Sequence, residues 1–277
     1  MRNHWLAYHI YLPFELREEF TPALGRVLLA MQERLLIHRF FHINYGEGGY
    51  HVRVRLQVQT VIQRDIVQAS FPQAIVELCK TTSRLLEADI TCLQNTYERD
   101  IHYFGETLES VYSELLNEQT SLLAIAIMHA SPGQNRHKEA MLVLLSIWTL
   151  AATVEISASE LIQQGLAFVQ RNTLQVGGPQ KAARRSDGRG HDPRRYVLRG
   201  YGNILKHLGA IAQRALQVSG RRHVVTHAVH LLMNKLNYTL HDEGTFYAVG
   251  ANLLLSHQPS VTGNDVVFVI QEADRCL

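Results

Sequence analysis

The chain has 277 residues, 46% hydrophobic and 19% charged, with a formal net charge of +2. That composition is globular with length enough for a sizeable core, and so small a net charge supplies no bulk field that would hold the chain on nucleic acid or a membrane. The three cysteines, Cys79, Cys92 and Cys276, lie far apart with no CxxC pair, which argues against a disulfide framework or a cysteine zinc site and fits a reducing cytoplasm.

The opening segment, Met1 to Ile10, has no basic stretch followed by a long apolar one, so no signal peptide is expected. Trp5 to Leu12 reads as a strand, and Phe14 to Ile37 has the apolar spacing of a helix. Arg39 to Tyr45 reads as a second strand, Gly46 to Gly49 as a turn, and Tyr50 to Gln59 as a third strand with a period of two. Val61 to Leu86 reads as a helix, with a break expected near Pro72, and Ala88 to Glu98 as a fourth strand. The order β-α-β-β-α-β predicts a ferredoxin-like sandwich over residues 1–104 of a single α+β domain spanning 1–277.

Residues 105–277 are expected to be mainly helical and packed on the sandwich. The predicted helices are Glu106 to Ala130, Arg136 to Gln170, Tyr201 to Val218, Arg221 to Leu236 and Asp242 to His257, with a last strand at Asp265 to Gln271. The most apolar run, Met141 to Val154, is too short and too hydroxyl-rich to span a bilayer, so a buried helix is expected and no membrane partner. Gly177 to Gly200 is rich in Gly and Arg and reads as a long, mobile polar loop: a solvated linker, or an electrostatic arm for an acidic peptide or RNA.

Three constellations could carry chemistry. On the third strand His51, Arg53 and Arg55 share one face, and two guanidinium forks on a rigid strand suit a carboxylate or phosphate. Thr96 to Gly105 sits at the end of the fourth strand and offers Tyr97 and Arg99, the latter a possible anion ligand. His223, His227 and His230 fall near one face of a helix, ahead of Asn234 and Lys235. No acidic or cysteine ligand stands near them and HExxH is absent, so a single histidine acting as acid or base is preferred to a metal site. There is no P-loop, no GxGxxG after a strand and no GxSxG elbow.

Together and in this order, the segments Trp5 to Tyr11, Phe40 to Arg55, Tyr97 to Gly105 and His230 to Lys235 resemble the C-terminal elimination domain of lantibiotic dehydratases and the thiopeptide-type bacteriocin biosynthesis proteins. The resemblance implies that Arg55, with Arg53 beside it, and Arg99 match arginines of the elimination site, that His230 matches its histidine, and that a family glutamate matches Glu243. His51, Arg53, Tyr97, Asn234, Lys235 and Glu243 are the implied substrate contacts. Lys235 stands where the family has arginine, a departure because lysine offers no bidentate fork.

The implied activity is a lyase. A Ser or Thr of a ribosomally made precursor peptide, glutamylated from glutamyl-tRNA by a partner protein, would lose glutamate to give dehydroalanine or dehydrobutyrine. Arg55 and Arg99 would hold negative charge and His230 would move a proton. No cofactor or direct nucleic-acid contact is implied; a homodimer is compatible. Two other readings stay open: a pyridine synthase joining two dehydroalanines by [4+2] cycloaddition, and a non-catalytic partner holding the leader peptide by strand addition.

Overall fold

The computed structural model describes residues 4–46, 48–97, 109–131, 136–173, 194–219 and 224–247. The chain divides into two compact units, Met1–Gly105 with Asn234–Asn237, and Glu106–Met233 with Tyr238–Leu277.

The first unit runs β1 (His4–Tyr11), a single 3-10 turn (Phe14–Leu16), α1 (Arg17–Glu33), β2 (Arg39–Tyr45), β3 (His51–Val58), α2 (Val61–Thr81) and β4 (Thr91–Asn95). The strands form one antiparallel sheet in the order β2-β3-β1-β4. Alternation sorts the side chains. Leu6, Tyr8 and Ile10 of β1 and Val52, Val54, Leu56 and Val58 of β3 are buried on one face. There they meet the apolar stripe Val67, Phe71, Ile75 and Leu78 of α2, with the Tyr8 and Phe71 rings 4.7 Å apart. Phe20, Leu24, Leu28 and Met31 form the matching stripe of α1. Each such side chain contributes about 1.5–3 kcal/mol when fully buried.

That stripe explains why α2 continues through Pro72 where a break was expected. Phe71 and Ile75, on either side of the proline, are both pinned in the core, which offsets the lost backbone bond. A capping box starts the helix: Gln63 N–H donates to the Thr60 hydroxyl at 3.1 Å, and the Thr60 N–H donates to the Gln63 side-chain oxygen Oε1 at 3.1 Å. The helix stops at Thr81 rather than Leu86, because turns closed by Leu85 N–H to Thr82 O and Ala88 N–H to Leu85 O take over. Strand β4 ends early, at Asn95, whose side-chain oxygen takes the Thr96 N–H at 2.8 Å.

In the second unit, α3 (Glu109–Ala130) packs against α4 (Arg136–Thr153) and α6 (Arg194–Ser219); α5 (Ala158–Thr173) follows α4. Helix α7 (Val224–Lys235) and the helical residues 240–247, called α8, complete the described helices. The helix expected over Arg136 to Gln170 is two helices. Glu155 turns left-handed at φ 55°, Ile156 N–H reaches back to Ala151 O, and the Ser157 hydroxyl caps the next helix through the Glu160 N–H at 3.1 Å. Helix α6 begins at Arg194, so the end of the predicted basic loop is helical; the rest of that loop, residues 177–193, lies outside the described residues, as does the expected strand at 265–271. Asp192-Pro193 just before Arg194 is a helix-start signal that the loop composition masked.

Helices α1, α4 and α7 end in one way. Leu35, Glu155 and Asn237 adopt φ of 57°, 55° and 63°, and the residue after each bonds back five residues, to Met31, Ala151 and Met233. This is the left-handed C-cap that usually recruits glycine. No helix among the described residues is long and apolar enough to cross a membrane.

Candidate functional site

The sheet face away from the core carries the basic motif. Register places His9 across from Arg53 and Ala7 across from Arg55, while Phe41 and Tyr45 lie across from Arg55 and His51 on the other side. The four strands contain no Asp or Glu, and aromatic rings lie beside the guanidinium groups. Arg53 stands 3.5 Å from the centre of the Tyr45 ring and Arg55 5.6 Å from that of Tyr97. Trp5 links the set, with Phe41 at 5.3 Å and Tyr97 at 5.5 Å. Arg55 is buried, and its guanidinium donates to the Val54 carbonyl at 3.2 Å. The hairpin that brings β3 back uses Gly48 and Gly49 at φ of 73° and 96°, which a side chain would strain.

His51 is fully committed. Its Nδ1–H donates to the Gly49 carbonyl at 2.9 Å, and its Nε2 accepts from Arg53 Nε at 3.2 Å. That pair of bonds fixes a neutral tautomer. Burial, followed by the nearby guanidinium charges, keeps its pKa below the usual range. His9 stacks on His51 at 5.1 Å, and its pKa is lowered to about 4 by burial, then by Arg55, Arg53 and His51. The face thus presents fixed positive charge beside neutral imidazoles, an arrangement suited to holding an anion.

Asn234 and Lys235 lie on the other side of β2. The Asn234 amide pairs with the main chain of Asn44, accepting its N–H and donating to its carbonyl, both at 2.9 Å. Asn237 receives a bond from the Asn44 amide at 2.9 Å and lies 3.3 Å from the Tyr50 hydroxyl. Lys235 is fully buried next to His42, and burial lowers its amine pKa far below normal. Burial, and after it the charge of Lys235, lowers the pKa of His42 to about 3. His42 and Asn44 pair with Val54 and Val52, so they share the core face. The structure therefore does not bring Asn234 and Lys235 onto the face with His51, Arg53 and Arg55.

The second unit holds the other imidazole. His230 on α7 meets Glu243 through Nδ1 and Oε2 at 2.8 Å and leans on the Phe168 ring at 4.8 Å. Its Nε2 makes no hydrogen bond among the described residues, and 24% of the side chain stays exposed against 2% for Glu243. A capping box between Thr239 and Asp242 sets the first turn of α8, which carries Glu243. Tyr247, one turn on, is buried with its ring against Gly165; a Cβ there would lie 2.3 Å from the ring. Arg99 and His223 lie outside the described residues. Among the described residues, no group of three or more His, Cys, Asp or Glu is placed to hold a metal.

Several of these residues escape a linear reading. Trp5, His9 and Tyr45 join the site only through strand register, although the period of two in β1 already puts Trp5 and His9 on one side. Gly165 and Phe168 come from α5 and Tyr247 from α8. The steps from Gly165 to Phe168 and from Glu243 to Tyr247 each hint at a shared face, but nothing in the spacing joins the two helices.

The sequence profile described as lantibiotic biosynthesis dehydratase C-term matches residues 5–254. The chain belongs to that family. Its fold is similar to the tRNA dependent lantibiotic dehydratase MibB from Microbispora sp. 107891, with a TM-score of 0.58 and 15% identity over 89% of this chain and 27% of that one. It is also similar to TsrL (TM-score 0.51, 10% identity, 93% of this chain and 96% of that one). The pyridine synthase TbtD from thiomuracin biosynthesis is similar as well (TM-score 0.53, 11% identity, 91% and 98%). This lantibiotic dehydratase C-terminal family member thus spans about a quarter of the length of MibB. A search of curated proteins found no match.

Proposed function

We propose that this family member catalyses glutamate elimination in the maturation of a ribosomally made peptide. The substrate is a precursor peptide whose Ser or Thr has been glutamylated by a separate tRNA-dependent partner protein. Family membership supports the peptide-maturation class. The observation that carries the reaction is His230, held through Nδ1 by a buried carboxylate with Nε2 unbonded among the described residues.

In this reading an imidazole takes the α-proton of the modified residue. The C–H electron pair becomes the Cα=Cβ bond, the Cβ–O bond breaks, and glutamate leaves as its carboxylate. Arg55 and Arg99 supply positive charge for the glutamyl carboxylates and the developing enolate oxygen. Arg53, His51 and Tyr97 support Arg55, and Asn234 and Lys235 pack at β2. We also read the strand order β2-β3-β1-β4 as a ferredoxin-like sandwich.

TbtD shares the fold over 98% of its own chain, which makes [4+2] cycloaddition the competing reading. Purified protein is incubated separately with a glutamylated peptide and with a fully dehydrated peptide, and products are weighed by mass spectrometry. Elimination predicts loss of glutamic acid from the first and no change in the second. Ring formation with leader release from the second, or tight binding without any mass change, would overturn it.

A further inference from the structure

Nδ1 of His230 lies 2.8 Å from Glu243 Oε2. The carboxylate is 2% exposed and belongs to the first turn of α8, where a capping box fixes the backbone. A group so enclosed meets the imidazole, not a ligand arriving from solvent. Its second oxygen, Oε1, and the Tyr247 hydroxyl are both buried without a hydrogen-bond partner among the described residues. Burial, then the charge of Glu243 one turn earlier, hold the phenol protonated, so that it keeps a proton to donate. The Tyr247 ring reaches this position because residue 165 is glycine; any side chain there would occupy the ring's space.

We propose that Glu243 and Tyr247 are positioning residues that set the tautomer of His230. Tyr247 donates to Glu243, and Glu243 accepts the Nδ1 proton. Nε2 is left with its lone pair outward, so His230 starts the cycle as a base rather than an acid. This rests on the elimination reading and goes beyond it by assigning the proton-transfer direction, a role for Tyr247 and a reason for Gly165. Glu243 acts through His230 and does not touch substrate.

The test has two readouts. In 15N-histidine-labelled full-length protein, assigned by the signal lost in His230→Asn, His230 shows a protonated Nδ1 and a bare Nε2 above neutral pH. Glu243→Gln, close to isosteric, moves the proton onto Nε2 in part or whole; Tyr247→Phe broadens the same balance. In turnover of glutamylated peptide, Glu243→Gln lowers kcat on the order of 100-fold with KM nearly unchanged. Tyr247→Phe lowers kcat by about 10-fold or less, again with KM nearly unchanged. An unaltered tautomer in Glu243→Gln, or a raised KM with normal kcat, overturns the proposal, the latter by making Glu243 a substrate ligand. The spectrum needs no turnover: a tautomer set by Glu243 in a protein that eliminates nothing would sink the elimination reading and leave the positioning roles standing.

Discussion

The sheet and the helical unit both present histidines, and they treat them in opposite ways. In the sheet, His51 spends both ring nitrogens on Gly49 and Arg53, while burial and neighbouring guanidiniums keep His9 neutral. In the helical unit, His230 spends one nitrogen on Glu243 and keeps the other unbonded among the described residues. The comparison shows that an imidazole's chemical use depends on how many of its hydrogen bonds the fold consumes. The strand motif, more conspicuous in sequence, holds charge in place. The quieter helical histidine keeps a ring nitrogen open among the described residues, as the proposed proton transfer requires.

The sharpest way to break this contrast is to truncate each histidine. His230→Ala should cut elimination on the order of 100-fold or more. His51→Ala should cost less than about 10-fold, through the displaced Arg53. Rates of glutamate loss followed by mass spectrometry decide it, and equal losses would erase the distinction.

A second test uses acid. His42, fully buried in the first unit, has its pKa lowered to about 3. Between its usual value near 6.5 and that figure, the unfolded chain takes up a proton that the folded chain refuses. Stability therefore falls as pH drops through this window and levels off below it. The loss at pH 5 is about 2 kcal/mol. His9 adds a smaller loss of the same sign down to about pH 4. Urea unfolding across pH should show the slope, and His42→Asn should flatten most of it.

The smallest effects ask whether the two units differ in backbone rules or only in chemistry. Leu35 in the first and Glu155 in the second both strain into the left-handed region. Leu35→Gly and Glu155→Gly should each raise stability by about 1 kcal/mol. Asn237→Gly has the same backbone geometry but forfeits the bonds to Asn44 and Tyr50, and it should lower stability by about 1 kcal/mol. Thermal unfolding of the three variants checks the signs.

These residues also show what a linear reading can reach. Strand β2 spans Arg39–Tyr45 as expected, and the shared face of His51, Arg53 and Arg55 follows from the period of two. Helix ends were less legible because Leu35, Glu155 and Asn237 do what glycine usually signals. Ser157 and Glu160 did carry a start signal, hidden inside an apolar run. For the site, the family resemblance grouped Asn234 and Lys235 with Arg55. Strand parity decides otherwise: His42 and Asn44, their partners, point to the core side of β2. The Glu243 to His230 bond joins residues on different helices, a fact of packing that no spacing rule encodes.

The Asn234 amide, by pairing with the main chain of Asn44, imitates one rung of a further strand at the rim of the sheet. Edge strands invite stacking between molecules because their main-chain groups stand ready. A fibril grows only along an unbroken ladder, and this rung is already filled from within the same molecule. A single carboxamide thereby removes one main-chain docking point from the open edge of β2.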